Sequence, residues 1–140
     1  MKAADDLIVP LTLTAEASSE TSAARRWIVR VMYNRTLDRR YPGTMAEVAL
    51  QPYQFSEFNR DRADWANLKR VLGLADDDPQ WLAALADYRA EMADVTAGVA
   101  DPTGGATHFY DGRLAAPDWA RPPARLTGKQ GEIMFWADVP

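Results

Sequence analysis

Two glutamates near the start of the chain have a spacing that suits acid–base chemistry. Glu16 and Glu20 are four residues apart, so on a continuing helix both side chains would project from one face. Glu16 stands between Ala15 and Ala17, and an apolar wall there would disfavour its charged form and raise its pKa toward general-acid use. The alternative from position alone is that Glu20 caps a helix and Glu16 is a solvated surface residue.

Apolar periodicity predicts that these glutamates lie between two helices. Residues 3–17 form the first, with Pro10 in its first turn or at a kink. The second is the clearest in the chain, because its apolar residues repeat every three or four positions: Ala24, Trp27, Ile28, Val31 and Met32. Side chains at 19–22 are suited to cap this second helix. Its arginines, Arg25, Arg26 and Arg30, fall on the other side and indicate an ordinary solvated face.

The rest of the chain predicts further helices and then a small β element. Thr44 to Glu47 has the spacing of a capping box that opens a short helix, and Trp65 to Leu72 is amphipathic up to Gly73. Asp78-Pro79 starts a long helix that stops near Gly98. Thr107–Tyr110 and Glu132–Trp136 are the expected strands. The sequence therefore predicts an α+β fold, mainly helical, with a small β element near the C-terminus.

Composition narrows the possible functions. The chain has 140 residues, one histidine and no cysteine, which predicts a single domain over residues 1–140 and excludes thiolate zinc sites and cysteine nucleophiles. We expect no metal and no cofactor. The first thirty residues show neither a signal-peptide pattern nor a long apolar run. We therefore expect a chain that is made in the cytoplasm without a signal peptide, or one that begins after a removed leader, and in either case no insertion into a membrane.

Four sequence blocks in order resemble SleB/CwlJ-type cell wall hydrolases. Ala-Glu-Ala-Ser-Ser-Glu at 15–20, followed by Asn34-Arg35, resembles the family's Gly-Glu-Ala-Arg-Gly-Glu motif and the helix after it. The other blocks are Tyr-Pro-Gly-Thr at 41–44, Gln-Pro-Tyr-Gln-Phe-Ser at 51–56, and Asp-Pro-Thr-Gly-Gly-Ala at 101–106, with Trp119 downstream. The chain departs from the family at 15, where alanine replaces glycine, and at 18 and 19, where serines replace arginine and glycine. It also lacks the histidine of the family's last strand.

The resemblance implies a lysozyme-like domain that cleaves the peptidoglycan bond between N-acetylmuramic acid and N-acetylglucosamine. Glu16 would protonate the leaving oxygen and then take a proton from the muramyl 6-hydroxyl, closing an anhydro ring; a hydrolytic enzyme would need a second carboxylate, for which Glu20 is the candidate. The expected substrate-binding residues are Asn34, Gln54, Phe55, Ser56, Thr103, His108 and Tyr110. The implied partner is the peptidoglycan glycan strand, and the implied protein is a monomeric phage endolysin that acts on the cell wall after release.

Two other functions follow from particular residues. The altered Ala-Ser-Ser context of Glu16 and Glu20 also fits a glycan-binding protein of the same fold that has lost catalysis. The six arginines between residues 25 and 40 would suit nucleic-acid binding. A net charge of -4 over the whole chain and the absence of a base-reading motif argue against a nucleic-acid partner.

Overall fold

The helices precede the strands along the chain. The computed structural model describes residues 2–51, 73–74 and 76–140. These residues form helices and then strands: α1 (Lys2–Ala17), α2 (Ser22–Thr36), α3 (Met45–Leu50), α4 (Pro79–Thr96), β1 (His108–Asp111), β2 (Arg125–Gln130) and β3 (Ile133–Ala137). The mainly helical α+β prediction is confirmed. The helix predicted at Trp65–Leu72 lies outside the described residues.

Capping side chains mark the helix starts that the sequence predicts. Thr21 is the N-cap of α2 and accepts a hydrogen bond from the Ala24 N–H at 3.1 Å. Thr44 caps α3 and Asp78 caps α4 in the same way. Each cap satisfies a backbone N–H that the first helical turn leaves without a partner. Helix α1 runs from Lys2 to Ala17 with Pro10 inside it, so of the two predicted places for Pro10 the first turn is excluded and a kink stays a prediction.

Helices α1, α2 and α3 share a hydrophobic core with the inner face of the sheet. The fully buried side chains include Leu13 from α1, Ile28 from α2, Val48 from α3 and Phe135 from β3. The ring of Trp27 lies edge-on to that of Phe135, with 5.1 Å between the ring centroids. The core therefore fixes the end of α1 and the start of α2 relative to the sheet.

Arginines on the far side of α2 pack against α4, which corrects the prediction of a solvated face. Arg25 pairs with Asp87 at 2.6 Å, and Arg30, which is 4% exposed, pairs with Glu91 at 2.7 Å. Glu91 is also buried and accepts a second bond from Arg26 Nε at 3.0 Å. Buried charges of this kind persist in proteins when an opposite charge compensates them. These guanidinium groups are therefore bound to acidic side chains of α4 within the protein.

The described residues form a three-stranded antiparallel sheet in the order β1-β3-β2. Strands β1 and β3 match the two predicted ones, whereas β2 is not predicted by the sequence pattern. Apart from Leu126 its residues are polar or small, and none of the six is buried, so β2 lacks the apolar alternation that indicates a strand. Gly128 in β2 lies so close to Trp27 that a Cβ atom there would be 2.8 Å from the ring. The glycine lets β2 approach α2.

Candidate active site

Glu16 and Glu20 lie on either side of the end of α1. Glu16 is exposed in the last turn of the helix, and Glu20 follows in the turn toward α2. The Glu20 N–H donates to the carbonyl of Ala17 at 3.0 Å. The two carboxylates therefore do not share one continuous helix, and Glu20 does not cap α2, since Thr21 does. The exposure of Glu16 also differs from the expectation of an apolar wall around it.

Glu20 points toward the end of the sheet. One of its carboxylate oxygens lies 3.8 Å from the Arg113 guanidinium, and its side chain is 14% exposed. Its other oxygen would be 3.4 Å from a Cβ atom at Gly131, in the turn between β2 and β3. Arg113 is in turn bound by Asp111, and its side-chain and backbone donors hold the pKa of that carboxyl below its usual range. The sequence pattern does not predict this contact, because Glu20 and Arg113 are far apart in the chain.

An aromatic cluster covers one face of the sheet. His108 and Tyr110 alternate on β1 and so share a face, and Trp136 is the partner of His108 on β3. Trp119 packs across all three, with its ring centroid 4.9 Å from His108, 5.7 Å from Tyr110 and 6.2 Å from Trp136. Each of these side chains is partly exposed. The cluster therefore offers flat apolar surfaces of the kind on which sugar rings pack.

Both ring nitrogens of His108 lie near a hydroxyl group. Nδ1 lies 3.0 Å from the Thr107 hydroxyl, and Nε2 lies 3.5 Å from the hydroxyl of Tyr41. Burial lowers the pKa of His108 to about 4, and the nearby Arg35 and Arg40 contribute in the same direction. The ring is therefore neutral near pH 7 and can take part in hydrogen bonds without carrying charge.

Asn34 and Thr103 belong to the framework of a loop. The Asn34 amide nitrogen donates to Asp101 and to the carbonyl of Ala106, both at 2.9 Å. Thr103 is fully buried; its hydroxyl donates to Asp101 at 2.7 Å and accepts from the Ala106 N–H at 3.2 Å. This corrects the expectation that Thr103 contacts substrate, since no surface of it is accessible. The amide nitrogen of Asn34 is likewise occupied within the protein.

Three of the expected binding residues, Gln54, Phe55 and Ser56, lie outside the described residues. Among the residues that are described, no group of three or more His, Asp or Glu side chains is arranged to hold a metal ion. In the same part of the chain no helix combines the length and the apolar character needed to cross a membrane.

A comparison with known protein families identifies the family to which the chain belongs. A family model described as Cell Wall Hydrolase matches residues 19–136. The chain belongs to the cell wall hydrolase family. The matched region includes Glu20 and begins three residues after Glu16. It covers the aromatic cluster, the loop that Asn34 holds and all of the sheet except its last residue, Ala137. The resemblance to SleB/CwlJ-type hydrolases is thereby confirmed.

Solved structures show the same fold in other cell wall hydrolases. The catalytic domain of the germination-specific lytic transglycosylase SleB from Bacillus anthracis aligns with a TM-score of 0.70 at 17% identity, covering 96% of this chain and 95% of that one. The catalytic domain of the Bacillus cereus SleB protein aligns with a TM-score of 0.62 at 20% identity, covering 96% and 90%. No curated protein sequence matches the chain. At these identities the structural likeness defines the fold.

Proposed function

We propose that this protein degrades peptidoglycan by cleaving the glycosidic bond between N-acetylmuramic acid and N-acetylglucosamine. Membership of the cell wall hydrolase family supports peptidoglycan as the substrate. The aromatic cluster of His108, Tyr110, Trp119 and Trp136 supports a glycan rather than a peptide bond as the target, because sugar rings pack on partly exposed aromatic faces.

The observation that carries this proposal is the different surroundings of the two glutamates. Glu20 has a cationic neighbour in Arg113, whereas no salt bridge of Glu16 is found among the described residues. A general acid has to reach the leaving oxygen of its substrate. The exposed carboxyl group of Glu16 is accessible to a substrate, whereas the carboxylate of Glu20 is mostly buried and faces Arg113. Glu16 is therefore the proposed general acid, and Glu20 is the proposed fixed negative charge beside it.

The proposed reaction uses one carboxyl group twice. Glu16 donates its proton to the leaving glycosidic oxygen while positive charge develops on the muramyl ring. The resulting carboxylate then takes the proton of the muramyl 6-hydroxyl, and that oxygen bonds to the anomeric carbon. The product is a 1,6-anhydro end, as formed by a lytic transglycosylase. Glu20 would stabilise the positive charge electrostatically.

Replacing Glu16 by glutamine tests its assignment as the general acid. Glu16→Gln retains the size of the side chain but cannot donate a proton, so we expect release of soluble fragments from purified peptidoglycan to slow by about 10²–10⁴-fold. Glu47→Gln is the matched control, because Glu47 is also an exposed glutamate on a helix. Mass spectrometry of the released muropeptides identifies the bond, and anhydromuramic ends are the expected product.

Several outcomes would change the proposal. Near wild-type release by Glu16→Gln would reject Glu16 as the acid, and reducing muramic ends would indicate hydrolysis. Free stem peptides would show that the target is not the glycosidic bond. Wild-type protein that sediments with insoluble peptidoglycan but releases no fragment would indicate a binding protein.

A further inference from the structure

The charged contact between Glu20 and Arg113 joins the helical part of the molecule to the sheet. Arg113 follows β1 in the turn that begins at Asp111, and Glu20 lies in the turn between α1 and α2. We infer that Arg113 is a positioning residue, which fixes the carboxylate of Glu20 beside the end of α1 that carries Glu16. This inference rests on the proposed function, because it assigns Glu20 a task in the same reaction.

Asp111 holds Arg113 in one orientation although the arginine is exposed. Its carboxylate accepts the backbone N–H of Arg113 at 2.9 Å, and it accepts Nε at 3.0 Å and one terminal nitrogen at 2.7 Å. A two-point contact between a guanidinium group and a carboxylate has a defined geometry. The same terminal nitrogen lies 3.8 Å from Glu20. Asp111 therefore sets the orientation of the Arg113 guanidinium group independently of Glu20.

Glu20 is confined on its other sides as well. Its second carboxylate oxygen faces Gly131, where the backbone has a φ of +58° and a Cβ atom would stand 3.4 Å away. Its backbone carbonyl accepts a bond from an Arg25 nitrogen at 2.6 Å, and Arg25 is itself paired with Asp87 on α4. The backbone of Glu20 is therefore anchored to the helices, and its carboxylate is directed to the turns at one end of the sheet.

A contact of this length at the surface contributes little to folding, because solvent screens it. The contact also orients the Glu20 carboxylate, and this effect is separate from its contribution to stability. A carboxylate that stabilises charge in a transition state acts only from a fixed place, and a displacement of about 1 Å in such a group can cost on the order of 10²-fold in rate. We therefore expect loss of Arg113 to change turnover more than stability.

The test is a double-mutant cycle on turnover, with Arg125→Gln as the control. Arg125 is an exposed arginine on the same sheet and pairs with Asp138 at 3.1 Å, so it matches Arg113 in type and setting. With soluble glycan strands freed of stem peptides as substrate, Arg113→Gln should lower kcat about tenfold with little change in KM, and Arg113→Lys should recover part of it. Adding Arg113→Gln to Glu20→Gln should cause no further loss.

A second measurement does not depend on activity. The backbone amide signal of Gly131 in a nitrogen–proton NMR spectrum reports the position of the Glu20 carboxylate, and it should shift in Arg113→Gln but not in Arg125→Gln. A Gly131 signal that does not shift in Arg113→Gln overturns the inference. A shifted signal also overturns it if Arg113→Gln turns over as fast as Arg125→Gln, or if the losses caused by Arg113→Gln and Glu20→Gln add up in the double variant. If the wild-type protein releases no fragments, the proposed function and the catalytic task of Glu20 both fail, while the Gly131 signal still decides whether Arg113 positions Glu20.

Discussion

The side-chain amide nitrogen of Asn34 donates a hydrogen bond to the carboxylate of Asp101 across 2.9 Å, although 67 residues separate them in the chain. This bond ties the end of α2 to the loop that leads into β1. Burial raises the pKa of Asp101, but hydrogen bonds from Thr103, Asn34 and Gly105 outweigh it and hold that pKa below its usual range. The loop is therefore organised around a charged carboxylate.

Asn34→Ala should destabilise the protein without touching the proposed acid. The substitution removes two bonds of 2.9 Å and leaves Asp101 and the Ala106 carbonyl short of a donor, so we expect a loss of about 2 kcal/mol in the free energy of unfolding. Thr36→Ala is the control, because it removes only a bond to Tyr33 within the same helix. Urea unfolding checks the prediction, which equal losses in both variants would contradict.

Glu91→Gln should be among the more destabilising single changes on α4. Glu91 is 2% exposed and compensates Arg26 and Arg30, so its removal leaves a buried guanidinium without an opposite charge, at a cost of about 3 kcal/mol. Asp94→Asn is the matched control, since Asp94 pairs with the same Arg26 but is 40% exposed, and its loss should be below about 1 kcal/mol. Denaturant midpoints compare the two. A similar small effect for both would show that Glu91 is not buried in solution.

His108 should make the protein less stable as the pH falls below neutrality. Its folded pKa is about 4, below the ordinary 6.5, so its contribution is full above pH 6.5 and is lost between 6.5 and 4, where only the unfolded chain binds the proton. Because the ring is only half buried, we expect about 1 kcal/mol between pH 7.5 and 4.5.

Chemical unfolding of the wild type and His108→Gln at those two pH values measures this contribution. The variant should lose less stability on acidification than the wild type. A parallel loss in both proteins would mean that His108 titrates normally in the fold.

Trp119→Ala should weaken glycan binding. Trp119 packs against three aromatic residues of the sheet face. An aromatic contact contributes about 1 kcal/mol beyond its buried area, so we expect affinity for soluble glycan strands to fall about fivefold. Trp81→Ala is the control, because Trp81 packs with Leu11 in a separate cluster. Isothermal titration with Glu16→Gln as the background avoids turnover. Equal affinities for the two tryptophan variants would exclude the aromatic cluster as the glycan surface.

The parts of the fold that depend on residues close together in the sequence could be predicted. Thr21 and Asp78 were expected at helix starts and cap α2 and α4, because a cap bonds to an N–H only two or three residues away. The strand at His108 was expected for a similar local reason. Strand β2 was missed, since its place depends on pairing with β3 and on the room that Gly128 leaves for Trp27.

Some features of the candidate site were likewise determined by the sequence, and others only by the tertiary structure. The residue types and their order determined the family resemblance and the pair Glu16 and Glu20, since these need only the chain itself. Only the tertiary structure decided that Arg113 lies beside Glu20 and that the α2 arginines meet the acids of α4. Such contacts join residues 60 or more positions apart, and their energies depend on burial and distance, which arise only once helices and sheet pack together.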